Sequence, residues 1–229
     1  MCSRYSLTSP PDAVRDLFRC PEVDAFPPRY NIAPTQPVLI VRHAPAARTA
    51  ASEATLVRWG LLPPWVKDPR EFATLINARS ETAADKPSFR GALRHKRCLV
   101  PTDGFYEWTG QPGAKQPHLI RLKDRSLFAF AGLWEHWLGA DGSELESTAI
   151  LTTAANGDVS AIHDRMPVIV EPVHYARWLD CRPGTAEHIL DLLSPSTDGR
   201  LDVTAVSPKL NNPRADGPEL QTPVFETSS

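Results

Sequence analysis

The sequence predicts one domain assembled from many short strands and turns, with only a few short helices. Three observations carry that prediction. Proline is 23 of 229 residues, about twice the ~5% of an average protein. Each proline removes a backbone donor and fixes φ, so regular elements stay short. Short apolar runs bounded by Gly, Pro or Asn recur along the chain, the pattern of strands. Finally, no internal repeat and no linker-like stretch divides a chain long enough to bury a core of its own.

Taken in order, Ser9-Pro10-Pro11-Asp12 followed by AVRDLF at 13–18 reads as a capped short helix, with prolines in its opening turn. Residues 26–34 (FPPRYNIAP) are stiff and extended. Residues 37–43 (PVLIVRH) form a strand, 44–54 a loop of small and polar residues, and 55–61 (TLVRWGL) a strand stopped by Pro63 and Pro64. Residues 75–82 (LINARSET) set polar groups directly behind a short apolar run. Arg90, Arg94, His95, Lys96 and Arg97 make the most basic stretch, either a solvated helix face or a binding patch. Residues 98–101 lead into DGFYEW at 103–108, where an acid sits among three aromatics. Residues 118–122 and 127–134 read as a hairpin across 123–125, with further strands at 147–153 and 201–206 and a further apolar run at 168–170. Helices are expected over 172–179 and 185–193, and the tail beyond 211 is Pro-rich and polar, its last residues loose.

Composition bounds the function. A net charge of −2 does not announce a nucleic-acid binder, so any such role rests on a local patch. Cys2, Cys20, Cys98 and Cys181 lie far apart with no C-x-x-C pair. That spacing argues against a zinc cluster or disulfide framework and for a reducing cytosol. The N-terminus lacks a basic-then-apolar leader. The longest apolar run, 127–134, is far too short to span a bilayer. The expectation is a cytoplasmic monomer that uses no metal and no organic cofactor.

The most reactive stretch is Met1-Cys2-Ser3-Arg4-Tyr5. Initiator Met is usually removed when the second side chain is small. Cys2 would then carry an α-amine of reference pKa ~7.7–8.0 beside a thiol of ~8.5, both nucleophiles. That pair suits an aldehyde: the amine forms an imine, and the thiol closes a five-membered thiazolidine. Glu107, if buried against Phe105, Tyr106 or Trp108, has its pKa raised toward neutrality, where it can move protons. His163 is a candidate acid or base, or a structural histidine. Asn77 can orient an amine or cap a turn. Arg4, Arg79 and Arg165 suit phosphate. Pro34 and Trp65 suit unstacked bases.

Separately these signals are weak; their ordered succession is specific. The matching pieces are Met1-Cys2-x-Arg4-Tyr5, RYNIAP at 29–34, WGLLPxW at 59–65, INARSET at 76–82, DGFYEW at 103–108, TTAA at 152–155, IHDRMP at 162–167 and Val206-Ser207. With them the chain resembles the SRAP family, the SOS-response-associated peptidases, over 1–222, leaving 223–229 as a tail. The resemblance implies an α+β domain with a bifurcated or barrel-like mixed sheet flanked by short helices. It implies a sensor of abasic sites in single-stranded DNA, nucleoid-associated when bound, that crosslinks itself to the ring-opened aldehyde through Cys2. On the matching positions, Asn77 positions the amine, while Glu107 and His163 carry protons. Arg4, Arg79 and Arg165 meet the DNA backbone, Pro34 and Trp65 meet bases, and Thr153 is a weaker DNA-contact position. Two departures stand out: Ser3 where the family usually has Gly, and Val66 where some relatives add a second aromatic. Two alternatives remain open at this point, a Cys2-dependent peptidase or autopeptidase with lyase-like chemistry and a non-covalent reader of single-stranded or modified DNA.

Overall fold

The structure is a computed structural model that describes residues 2–43 and 52–224. The chain runs β1 (Tyr5–Leu7), α1 (Pro11–Phe18), β2 (Arg29–Ile32), β3 (Pro37–His43), β4 (Ser52–Trp59), β5 (Asn77–Arg79), α2 (Arg90–His95), β6 (Arg97–Thr102) and β7 (Gly104–Thr109). It continues with β8 (Gln116–Leu122), β9 (Phe128–Leu138), β10 (Glu144–Ala154), β11 (Arg165–Pro167), β12 (Ile169–Val170), α3 (Tyr175–Leu179) and β13 (Leu201–Ala205). Four 3-10 segments punctuate the second half, at Pro172–His174, Thr185–Leu193, Pro208–Asn211 and Pro218–Gln221. No helix among the described residues is long and apolar enough to cross a membrane.

Two sheets divide these strands. The smaller is antiparallel in the order β13-β8-β7-β1-β2. In the larger, β10-β4-β3-β6-β9 closes on itself because β9 also pairs with β10. Such closure removes exposed edges. The eleven-residue β10 then outruns the ring: its far half takes parallel β5 on one side and antiparallel β11 on the other. The mixed, barrel-like and bifurcated α+β domain is therefore observed.

Aromatic side chains lock the two sheets together. Tyr5 on β1 meets Trp59 on β4 at 5.3 Å and Phe130 on β9 at 5.9 Å, edge to face. Phe105 on β7 meets the same Phe130 at 5.8 Å. Pairs of this geometry contribute ~0.5–1.5 kcal/mol each beyond their burial, so β1 is anchored from both sides. Asp103 finishes the task by accepting from the Ser9 backbone N–H at 2.8 Å and the Thr8 hydroxyl at 3.1 Å. Strand β6 lies so close to β9 that a Cβ added at Gly132 would stand 2.7 Å from Cys98 Sγ.

Several expected elements differ. Strands β8 and β9 do not form a hairpin: β8 pairs with β7 and β13, whereas β9 pairs with β6, β10 and β12. The turn at 123–125 instead carries the chain from one sheet to the other, a tertiary choice that local alternation does not encode. Strand β4 begins at Ser52 rather than 55, and the remainder of the expected 44–54 loop lies outside the described residues. The 185–193 helix is 3-10 throughout. The basic stretch splits: α2 ends at His95, and Arg97 is fully buried at the start of β6. The chain is held as far as Val224, with Leu220 buried, Gln221 donating to the Tyr106 hydroxyl at 2.8 Å and the Val224 N–H bonded to Ala205 at 2.9 Å, and the expected loose end at 225–229 lies outside the described residues.

Candidate functional site

The site grows from the end of β1. Antiparallel pairing sets Tyr5 opposite Phe105, and the Tyr106 N–H donates to the Arg4 carbonyl at 3.0 Å. The same register carried back places Ser3 opposite Glu107, so Cys2 enters beside that carboxyl. Cys2 is fully buried, and its carbonyl accepts from Asn77 Nδ2 at 2.8 Å. Asn77 is itself held through its neighbour. The Ile76 carbonyl receives Trp59 Nε1 at 2.9 Å and the Ile150 N–H at 3.0 Å, which seats β5 against β10. Asn77 Oδ1 is buried and unpartnered among the described residues. An orphaned acceptor of that kind is costly unless something fills it.

Glu107 is 3% exposed, deep in β7 across from His118 of β8. Burial is the largest influence on its carboxyl, pushing it up to about 7, with the negative charge of Asp164 adding in the same direction. The acid is buried, but not by the aromatics on either side of it: Tyr106 and Trp108 project from the other face of β7 and pack with Val206, Leu210 and Leu220. Burial also pushes the Cys2 thiol well up, and the nearby Glu107 carboxylate adds to the rise. The thiol therefore rests protonated.

His163 precedes β11 and is partly buried. Its Nδ1 accepts from the Arg165 N–H at 2.9 Å, yet Asp164 Oδ1 also stands 2.8 Å away. One ring nitrogen cannot serve both: the backbone bond requires Nδ1 without a proton, the carboxylate contact an Nδ1–H, on the neutral or the charged ring. Burial lowers the His163 pKa, which favours the neutral ring with its proton on Nε2.

The cationic candidates divide. Arg79 ends β5 exposed; its side chain makes no hydrogen bond among the described residues, and its charge helps to hold the Glu81 carboxyl down. Arg165 is 14% exposed and forked onto Glu81 at 2.6 and 2.9 Å, with a further bond to the Thr152 carbonyl at 2.7 Å. Arg4 is half-buried; it donates to Asn31 Oδ1 at 2.9 Å and Leu210 O at 3.3 Å, and lies 5.9 Å from the Trp108 ring. It ties β1 to β2 and to the 208–211 turn. Thr153 is buried in β10 opposite Met166.

Pro34 is partly exposed in the turn after β2, whose Thr35 N–H bonds the Trp59 carbonyl at 2.8 Å. Trp65 is 56% exposed and meets Phe72 edge to face at 5.5 Å. Val66 turns inward against Leu62 and Trp137, so the aromatic beside Trp65 is Phe72, seven residues on. The structure brings Cys2, Asn77 and Glu107 together, with Asp164 and His163 at the near end of β11 and Arg79 and Arg165 on strands flanking β10. Sequence reasoning gave no role to Trp59, Asn31, Glu81 or Phe72. Asn31, Trp59 and Glu81 lay inside quoted motifs; for Phe72 no local signal existed.

The described residues hold no group of three or more His, Cys, Asp or Glu suited to a metal ion.

Comparison with known proteins agrees with this frame. The chain is 39% identical over 225 residues to the abasic site processing protein YoqW of Bacillus subtilis, covering 96% of this chain and 98% of that one. It is 34% identical over 228 residues to abasic site processing protein HMCES of Gallus gallus, covering 87% of this chain and 67% of the other. A crystal structure of a Bacteroides thetaiotaomicron protein superposes with a TM-score of 0.83 at 27% identity, over 98% of this chain and all of that one. With residues 1–213 matching the family model described as SOS response associated peptidase, the chain belongs to the SRAP family.

Proposed function

We propose that the protein processes abasic sites in single-stranded DNA by joining its own N-terminal cysteine to the exposed aldehyde. The observation that carries this reading is the pairing of a buried Cys2, gripped through its carbonyl by Asn77, with a buried carboxyl poised at about 7. Curated relatives named abasic site processing proteins support the same substrate.

Once Met1 is removed, the Cys2 amine attacks the sugar aldehyde and forms a C–N bond. The carbinolamine loses its hydroxyl as water, with the proton supplied by Glu107 or by His163 Nε2, leaving an imine. The thiol then gives its proton to Glu107 while sulfur bonds the former aldehyde carbon. The imine nitrogen takes up a proton, and one water has been lost overall. A carboxyl near 7 suits both directions of proton transfer at neutral pH. A carboxyl of ordinary pKa would be too weak a base for a buried thiol. Asn77 Oδ1 accepts from the amine and so fills its missing bond. Arg79 meets the backbone; Arg165 does so by exchanging Glu81 for phosphate; Pro34 and Trp65 meet unstacked bases. Ser3 and Arg4 shape the entrance.

A thiol peptidase acting on other proteins fits less well. Such enzymes need a thiolate stabilised by an imidazolium, whereas here the thiol is pushed up and the His163 ring is held neutral. The test is to mix untagged protein with an abasic single-stranded oligonucleotide and measure intact mass and denaturing-gel mobility. A Cys2-dependent species at protein without Met1 plus DNA minus water is expected. No such species, from folded protein with Met1 gone, rules the reading out and leaves non-covalent binding.

A further inference from the structure

The most basic stretch of the sequence finds no use at Cys2. Arg90 and Arg94 stand one turn apart on α2, both exposed, and His95 follows. Among the described residues none of these three side chains has a hydrogen-bond or ion-pair partner. They border a cavity of about 270 Å³ between α2 and the 182–190 segment, with Arg182 on the opposite rim. Its floor is aliphatic: Leu93, Pro183 and Leu190, the last 52% exposed. Glu187 is the one acidic lining residue, and Arg182 is already paired with Asp180 at 2.6 Å.

The walls are fixed in advance. Buried Arg97 donates to Leu93 O at 2.7 Å and Arg94 O at 3.3 Å at the end of α2. Across the cavity it donates to Trp178 O at 2.7 Å, Thr185 Oγ1 at 3.1 Å and the Asp180 carbonyl. One guanidinium thus rivets both walls, and a preformed site avoids the ordering cost of binding.

We propose that this cavity docks a partner's acidic peptide, carboxylates on Arg90 and Arg94 and one hydrophobic side chain on the Leu93–Leu190 floor. With Arg182 already paired, Arg90 and Arg94 against the one glutamate give the charge complementarity, and Arg clusters read acidic motifs by forked hydrogen bonds. The lining carries no Phe, Tyr or Trp ring on which a nucleobase would stack. The volume also falls short of the ~300–1,000 Å³ of small-molecule sites, but accommodates a side-chain anchor. The site does not depend on the reading of Cys2.

The probe is a fluorescein-labelled Asp-Asp-Asp-Leu-Phe peptide with a free carboxyl terminus, followed by anisotropy with the full chain at low salt. Saturable binding is expected, weakened at least about tenfold by Arg90→Ala with Arg94→Ala. Replacing the Leu-Phe pair by Gly-Gly, or Leu190 by Ser, should weaken it similarly. All three positions are exposed, so an unchanged melting temperature certifies the variants, and abasic-DNA crosslinking should be unaffected by them. Absence of saturation below roughly 1 mM, or binding indifferent to the arginine changes, overturns the proposal. So does displacement of the peptide by an intact oligothymidine whose own binding shows the same arginine dependence, because that marks a nucleic-acid surface instead.

Discussion

Cys2 and Cys98 are both fully buried, and burial raises both thiols. Cys98, pushed up to about 12, sits in the barrel wall 3.5 Å from the Thr148 hydroxyl, packed on Gly132. Cys2 sits at the end of β1 with its carbonyl held by Asn77, and the second influence on its thiol is the Glu107 carboxylate. Burial is common to the two and so explains nothing about reactivity. What separates them is a proton acceptor tuned near neutrality and, on the proposed reading, an adjacent free amine.

The largest effect should fall on that contrast. Cys2→Ala is expected to abolish the denaturant-resistant DNA species, while Cys98→Ala retains it. Loss in a folded Cys98 variant would break the comparison. Next, Glu107→Gln preserves shape but removes proton transfer, and should slow formation and reversal by roughly 100-fold or more. The wild-type rate of thiol closure should rise with pH through about 7 as Glu107 ionises, and the variant should lose that step. Stability moves with the same titration. A carboxyl raised from 4.5 to about 7 is favoured protonated in the folded state, so ionising it costs stability. The cost is absent below 4.5, grows between the two values and is complete above the upper one, at roughly 3 kcal/mol or less. Glu107→Gln removes it. Relative to wild type, the variant's melting temperature should therefore be highest above pH 7, an advantage that fades in acid; a pH-independent difference would refute the assignment.

Much of this was legible because period and punctuation are local. The stretch 37–43 reads as a strand from its own apolar residues, and the prolines opening α1 mark its start. The burial of Glu107 was not legible: from sequence alone an exposed strand carboxylate is the better reading, and it is the place of β7 between β1 and β8 that decides against it. Partner choice was not legible: β8 and β9 are neighbours in sequence that belong to different sheets, and nothing in 123–125 says so. Nor does the sequence distinguish Arg79 from Arg165. Their motifs look equally basic, and the fork onto Glu81 exists only once β5 and β11 flank β10.

Asn77 and Arg79 sharpen the comparison at intermediate size. Asn77→Ala leaves Cys2 buried but releases its carbonyl, so about a tenfold slower reaction at saturating DNA is expected, with capture affinity retained. Arg79→Ala should do the reverse, raising the DNA concentration for half-maximal capture several-fold and lowering the salt dependence by about one phosphate contact. The saturating rate should hold. If both variants altered affinity alone, Asn77 would be a DNA contact and not a clamp on the nucleophile.

The smallest effect on chemistry is the one that isolates burial. Cys98→Ala deletes a sulfur packed between Gly132 and Thr148 and leaves the Thr148 hydroxyl its bond to the Leu133 carbonyl at 2.8 Å. No hydrogen-bonding group is orphaned, so the cost is a small cavity, about 1–2 kcal/mol of stability measured by denaturant unfolding. At 25 °C the variant should remain folded and crosslink at the wild-type rate over the whole pH range. A shifted pH profile would mean that the barrel wall communicates with Glu107, and the division drawn here between a structural thiol and a reactive one would fail.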